Sequence, residues 1–239
     1  MIYGTRAVIE AIVAGKTIER VMVQTGLNND LIKELLDTAR KHKVQLSFVP
    51  AEKLKRLSAK NHQGVICLLS SVAYARVDNI VDKAFSDGRE PFLLLLDRVT
   101  DVRNFGAIAR TAECAGVDAI VIGEKGNAPI TSDAMKTSAG ALNHLAVCRE
   151  RDLKKTIEML RDSGMRIIAC TEKAEKDIYD INLTGPIALI MGSEEDGIAD
   201  VLLREADELA RIPLKGKIGS LNVSVAAGIA LYEVVRQKR

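Results

Sequence analysis

The 239-residue sequence carries 34 Lys/Arg against 32 Asp/Glu, a net charge of +2, and is 47% hydrophobic and 28% charged. That mix excludes disordered, collagen-like and disulfide-scaffold chains, and the length suits one large core or two modest ones. Apolar runs such as Pro91 to Leu96 are too short to span a bilayer.

Arg6 and Glu10 interrupt the apolar stretch that a secretory leader needs, so a cytoplasmic protein with no membrane partner is expected. Cys67, Cys114, Cys148 and Cys170 lie far apart without C-x-x-C spacing, and read as reduced core residues. His42, His62 and His144 are equally scattered, so no metal site is expected. Charge is uneven. The first 70 residues hold eleven Lys/Arg against six Asp/Glu, a net of +5 that leaves −3 for the rest.

Along the chain, periodicity predicts a helix over Ala7–Val13, a strand over Ile18–Val23, a helix over Leu31–His42 and a strand over Val44–Val49. A helix over Ala51–Leu57 and a strand over Val65–Leu69 complete a small α/β domain, residues 1–71. Small and polar residues gather in SSVAYARVDN and SDGREP, which predicts a linker over 72–90 containing at most one short helix. From Phe92 onward the short apolar runs FLLLLD, DAIVI, LAVC, RIIAC, IALIM and LARIP alternate with helical stretches or Gly-containing loops. Strands apolar on both faces predict a mainly parallel sheet covered by helices over 91–239, closed by a helix near Asn222–Val235.

In such a sheet ligands bind beyond the carboxyl ends of the strands, where three segments compete. The first, Asp97–Arg110, leaves a strand and opens a helix. Asn104 is suited to capping or to ligand contact, Gly106 to close backbone approach, and Arg110 lies further along the helix. The second, Met191–Ile198, places Gly192 and Gly197 around Glu194, Glu195 and Asp196, either an exposed ligand loop or a capped helix start. The third, Ile212–Ser224, has two glycines and free polar groups, with Ser220 or Asn222 available as a helix cap. Dinucleotide, P-loop and nucleophile-elbow spacings are all absent, which disfavours dehydrogenase, NTPase and hydrolase functions.

In order and spacing, the three segments resemble the three motifs of the SpoU/TrmH branch of the SPOUT methyltransferases, over residues 92–239. The front domain, with Tyr3-Gly4 and the Asn61-His62-Gln63-Gly64 turn, is similar to the small ribosomal-protein-like substrate-binding domain of bacterial 23S rRNA guanosine-2'-O-methyltransferases. The resemblance implies a trefoil-knotted catalytic domain that binds S-adenosylmethionine, works as a homodimer, and methylates a guanosine ribose of 23S rRNA.

It also implies roles for particular residues. Asn104, Arg110, Glu194 and Asn222 would form the active site, supported by Ser220 and Ser224. Gly192, Ile212, Leu214, Ser220 and Leu221 would contact the cofactor, with Thr171 and Glu172 walling its adenine pocket. Arg110 would come from the other subunit. A guanidinium is normally always charged, so it suits positioning and alkoxide stabilisation better than base action. Val102 stands where this family usually has proline.

The basic front end suits RNA phosphates. Lys53, Lys55 and Arg56, with Lys41, Lys43 and Lys60, are the candidate contacts, although an ordinary solvated surface would carry many of the same charges. Two other functions compete: ribose methylation of tRNA, and a non-catalytic RNA-binding or ribosome-assembly protein on the same fold.

Overall fold

Gly4, at φ +87°, turns the short strand β1 (Ile2–Tyr3) into helix α1 (Thr5–Val13). β2 (Ile18–Gln24), α2 (Asp30–Lys41), β3 (Leu46–Val49), α3 (Ala51–Leu57) and β4 (Val65–Leu69) follow. The structure, a computed structural model, describes residues 1–239, which fall into two units: Met1–Ala73 with Pro129–Thr131, and the remainder.

In the first unit the sheet order is β1-β4-β2-β3, with β2 and β3 parallel and the other pairs antiparallel. Strand alternation divides the apolar residues between two faces. Val21, Val23, Val65 and Cys67 pack against Val8 and Ile12 of α1 and Leu35 of α2, while Met22, Ile66 and Leu68 pack with Val49 and Leu54 of α3. Leu54 is the one buried residue of α3, which leaves Lys53, Lys55 and Arg56 exposed.

The second unit contains β5 (Tyr74–Ala75), α4 (Val77–Ser86), β6 (Phe92–Leu96), α5 (Val102–Cys114), β7 (Ala119–Gly123), α6 (Ser132–Thr137) and β8 (Ala146–Glu150). It continues through α7 (Leu153–Asp162), β9 (Arg166–Cys170), β10 (Ile187–Met191), α8 (Asp200–Leu203), β11 (Glu208–Ala210) and α9 (Val223–Gln237). All seven strands are parallel, in the order β11-β9-β10-β6-β7-β8-β5. Every residue of β6 and β10 is buried, which accounts for their unbroken apolar runs.

Residues 72–90 are not a plain linker. β5 pairs with β8, and Val77 and Val81 of α4 enter the core beside Leu93, Val121 and Ile157. The polar exposed side of α4 hides this in the sequence. Helix α5 also differs from one expectation: Asp101 caps it, accepting from the amides of Arg103 at 2.7 Å and Asn104 at 2.9 Å. Asn104 therefore sits in the first turn, and its side chain is released from capping.

Candidate active site

The strands β6, β9, β10 and β11 are neighbours, so the loops leaving their carboxyl ends converge. Those after β9, β10 and β11 enclose a cleft of about 340 Å³. After β9 it is lined by Thr171 and Glu172, after β10 by Met191 to Gly197, and after β11 by Ile212, Leu214, Gly219, Ser220 and Leu221. All seven expected cofactor contacts thus face one cavity. Gly192 is required there: a Cβ would lie 2.1 Å from the carbonyl carbon of Gly197 and 2.2 Å from the nitrogen of Ile198. Cys170 also lines the cleft, but burial pushes its thiol up to about 12, which keeps it protonated and unreactive at neutral pH.

The turn after β10 is tight. Ser193 and Gly197 exchange backbone hydrogen bonds of 3.1 Å, and Ser193 Oγ accepts from the Asp196 amide at 3.1 Å. It is a closed turn, not the start of a helix. At its tip Glu194 Oε1 accepts from Asn222 Nδ2 at 2.9 Å and from Asn104 Nδ2. Asn222 Nδ2 also reaches Asn104 Oδ1 at 3.1 Å, so the three side chains are mutually bonded. Asn222 Oδ1 caps α9 by accepting from the Ser224 amide at 3.0 Å, and it accepts from Ser224 Oγ at 2.6 Å. Ser220 is therefore not the cap.

A second cleft, of about 230 Å³, opens beside this trio between Arg98–Asp101, Asn104 and Gly126. Ser193 to Asp196 and Val223 line both clefts. Asn104, Glu194 and Asn222 consequently bond to one another beside the turn that the two cavities share. In the first motif Gly106 allows α5 to approach α6, since a Cβ would fall 1.9 Å from Thr137 Oγ1.

Arg110 is not brought to either cleft. It lies on the exposed side of α5 without an ionic or hydrogen-bonding partner in the chain. Lys53, Lys55 and Arg56 belong to the first unit. Sequence reasoning gave no role to Asp97, Arg98 or Ser193. Arg98 in particular occupies the left-handed region at φ +57°, which nothing in the sequence signals for a non-glycine residue.

Residues 91–232 match the model of the SpoU rRNA methylase family, and residues 1–75 match that of the RNA 2'-O ribose methyltransferase substrate-binding family. The chain belongs to the SpoU methylase family. This SpoU chain is 34% identical over 238 residues to a Staphylococcus epidermidis protein assigned to the TrmH family of tRNA/rRNA methyltransferases, covering 100% of this chain and 96% of that protein. The SpoU methyltransferase AviRb from Streptomyces viridochromogenes, solved with the cofactor AdoMet, has a TM-score of 0.61 at 25% identity, covering 99% of this chain and 89% of AviRb. A structure described as giving insight into 2-OH methylation of C/U34 on tRNA has a TM-score of 0.57 at 25% identity, and covers 62% of this chain and 96% of its own. The SpoU assignment makes this chain a ribose methyltransferase of RNA, and it agrees with the parallel sheet and the small front unit expected from the sequence.

Proposed function

We propose that this chain transfers a methyl group from S-adenosylmethionine to the 2'-oxygen of a guanosine ribose in 23S rRNA, and does so as a cytoplasmic homodimer. The observation that carries the reading is the bonded trio of Asn104, Glu194 and Asn222, set beside a turn that lines two adjoining clefts. One cleft suits the cofactor and the other the RNA ribose.

The first cleft fits the cofactor in size and chemistry. Its 340 Å³ lies within the range of about 300–1,000 Å³ typical of small-ligand pockets. Met191, Ile212, Leu214 and Leu221 offer apolar walls for a flat base, Thr171 and Glu172 offer polar atoms, and Gly192 leaves room that any Cβ would fill. When bound, S-adenosylmethionine supplies an electrophilic methyl group on a sulfonium.

The chain's own task is to present a poor nucleophile. Glu194 Oε1 is occupied by two amide donors, while Oε2 accepts no hydrogen bond within the chain and is available to the ribose hydroxyl. Asn104 and Asn222 fix that carboxylate, and Ser224 fixes Asn222. Arg110, always charged, stabilises the developing alkoxide. It lines neither cleft of its own subunit, which is consistent with the family resemblance, in which this residue serves the partner's site. Val225 and Tyr232, half exposed and seven residues apart on α9, offer an apolar surface for that second copy.

Lys53, Lys55 and Arg56 hold RNA phosphates from the first unit. The match of residues 91–232 to the SpoU rRNA methylase family supports an rRNA target, and the substrate-binding match over residues 1–75 supports an RNA one. A tRNA target is the second reading, favoured by the tRNA/rRNA naming of the relatives and by the tRNA-modifying neighbour. Transfer of labelled methyl to purified 23S rRNA, 16S rRNA and tRNA, followed by mapping of the modified ribose, decides between them. Label on one 23S guanosine supports the proposal. Label in tRNA replaces it with the second reading, and cofactor binding with no transfer to any RNA or ribosomal particle favours a non-catalytic protein.

A further inference from the structure

The turn that carries Glu194 is gripped from outside by two residues of the first motif. Arg98 donates through Nε and Nη2 to both oxygens of Asp97, each at 3.0 Å. The same guanidinium reaches Asp196 Oδ2 at 3.1 Å through Nη1 and the Gly197 carbonyl at 3.2 Å through Nη2. Asp97, which is buried, accepts from the Ala199 amide at 2.7 Å, and its own amide donates to the Met191 carbonyl at 2.9 Å. The turn is thus held at its entry, its far corner and its exit.

Arg98 can do this only from an unfavourable backbone. It sits at φ +57°, and its side chain passes 3.1 Å from where a Cβ of Gly126 would lie. Strain of this kind persists where the surroundings over-determine it, and here the surroundings are the turn of the site. The hydrogen bonds to Asp97 hold the Arg98 guanidinium above its ordinary value, which keeps it a cation.

We propose that Arg98 and Asp97 are positioning residues: a fixed guanidinium clasp that holds the Gly192–Gly197 turn so that Glu194 stays bonded to Asn104 and Asn222. This rests on the reading of those three as the site. Arg98 borders the second cleft, but its guanidinium is engaged by Asp97, Asp196 and the Gly197 carbonyl, so the clasp acts through Glu194.

The test uses the full chain with Arg98→Gly, Arg98→Lys, Glu194→Gln and the Arg98→Gly/Glu194→Gln double variant. Glycine accepts φ +57°, so Arg98→Gly retains the backbone, and Arg98→Lys guards against a folding defect. Without ligand, amide hydrogen exchange at Asp196, Gly197 and Ala199 should quicken in Arg98→Gly while the melting temperature is kept. With S-adenosylmethionine and total RNA from cells lacking the enzyme, kcat should fall by about ten- to a hundredfold. Lysine, a single ammonium in place of a fork, should recover part of the rate. The double variant should be little slower than Glu194→Gln, because one residue works through the other. An unchanged rate or unchanged exchange in Arg98→Gly overturns the clasp, and so do losses that multiply in full in the double variant. If Glu194→Gln is slow and Arg98→Gly is not, only the clasp fails. If Glu194→Gln is itself unimpaired, the site reading fails and takes the clasp with it.

Discussion

Asn222 donates to Glu194 across 2.9 Å, so the residue that caps α9 also secures the turn after β10, 28 residues earlier. Capping and site geometry are separable by substitution. Asn222→Asp keeps an acceptor for the Ser224 amide but loses the amide donor and sets a second carboxylate beside Glu194. Asn222→Ala loses the cap as well, at about 1 kcal/mol. Methyl transfer should collapse in both, whereas thermal melting should drop chiefly in Asn222→Ala. An Asn222→Asp enzyme as fast as the parent would remove this residue from the site.

Gly192→Ala would place a Cβ 2.1 Å from the Gly197 backbone. No flexible side chain is there to give way, so the turn must open. Overpacking of this kind costs about 1–3 kcal/mol, and it falls on the wall of the cofactor cleft. Calorimetric titration with S-adenosylmethionine should find affinity lost or reduced far more than in a Gly219→Ala control on the same cleft, where an added Cβ meets nothing within 4 Å. Parental affinity would refute the placement of the cofactor against this turn.

Arg110 is exposed on α5 and lines neither cleft of its own chain. If it serves a partner's site, Arg110→Ala and Glu194→Ala proteins should each be inactive alone. Mixing and reassorting their subunits should restore activity, roughly a quarter of the parental sites for random pairing in a two-fold dimer. Failure of the mixture to regain activity, with dimers present by sedimentation, would place Arg110 in its own subunit or outside the reaction.

Lys53, Lys55 and Arg56 share the exposed side of α3 around the single buried Leu54. Replacing all three by Ser should weaken RNA binding and lower the slope of log affinity against log salt by about 2–3, near one contact per cation. Melting should hardly change, because none of the three contributes to the core. An unaltered salt slope would show that the RNA is held elsewhere.

Glu233 is buried on α9, where Arg236 donates to its carboxylate at 2.7 and 2.8 Å and Gln237 at 2.7 Å. The Arg236 bonds, helped by Gln237 and opposed by burial, hold its carboxyl below the ordinary glutamate value of 4.5. A lowered value means the charged form is favoured in the fold, so this stability is complete at neutral pH and is lost as pH falls below about 4.5. Glu233→Gln should therefore melt lower than the parent at pH 7, and the gap should close in acid. A gap independent of pH would assign the effect to packing.

The parallel sheet was legible because FLLLL and IALIM are buried at every position, leaving no polar alternation. The region 72–90 was not, since a two-residue strand and a helix with one buried side carry little signal. The cap of α5 was displaced for a similar reason: Asp101 and Asn104, three residues apart, are both good caps, and the Asn104 amide itself donates to Asp101. The candidate residues were nameable from the three motifs. Their contact was not, because Asn104 meets Glu194 and Asn222 across separations of 90 and 118 residues. The clasp of Arg98 was invisible, because it depends on a backbone angle that local propensity disfavours.

β10 lies between β6 and β9, although it is synthesised after both. Until residues 187–191 emerge, β6 has one open edge and β9, whose other neighbour β11 is made later still, has two, and no earlier segment completes the middle of the sheet. The first unit has all four of its strands within the first 69 residues and can assemble while the rest is still being made. The second must wait for nearly its whole length and then close pairings of high contact order. A nascent chain stalled before β10 would present these open apolar strand edges to other chains, which makes this interval of synthesis the one most exposed to aggregation.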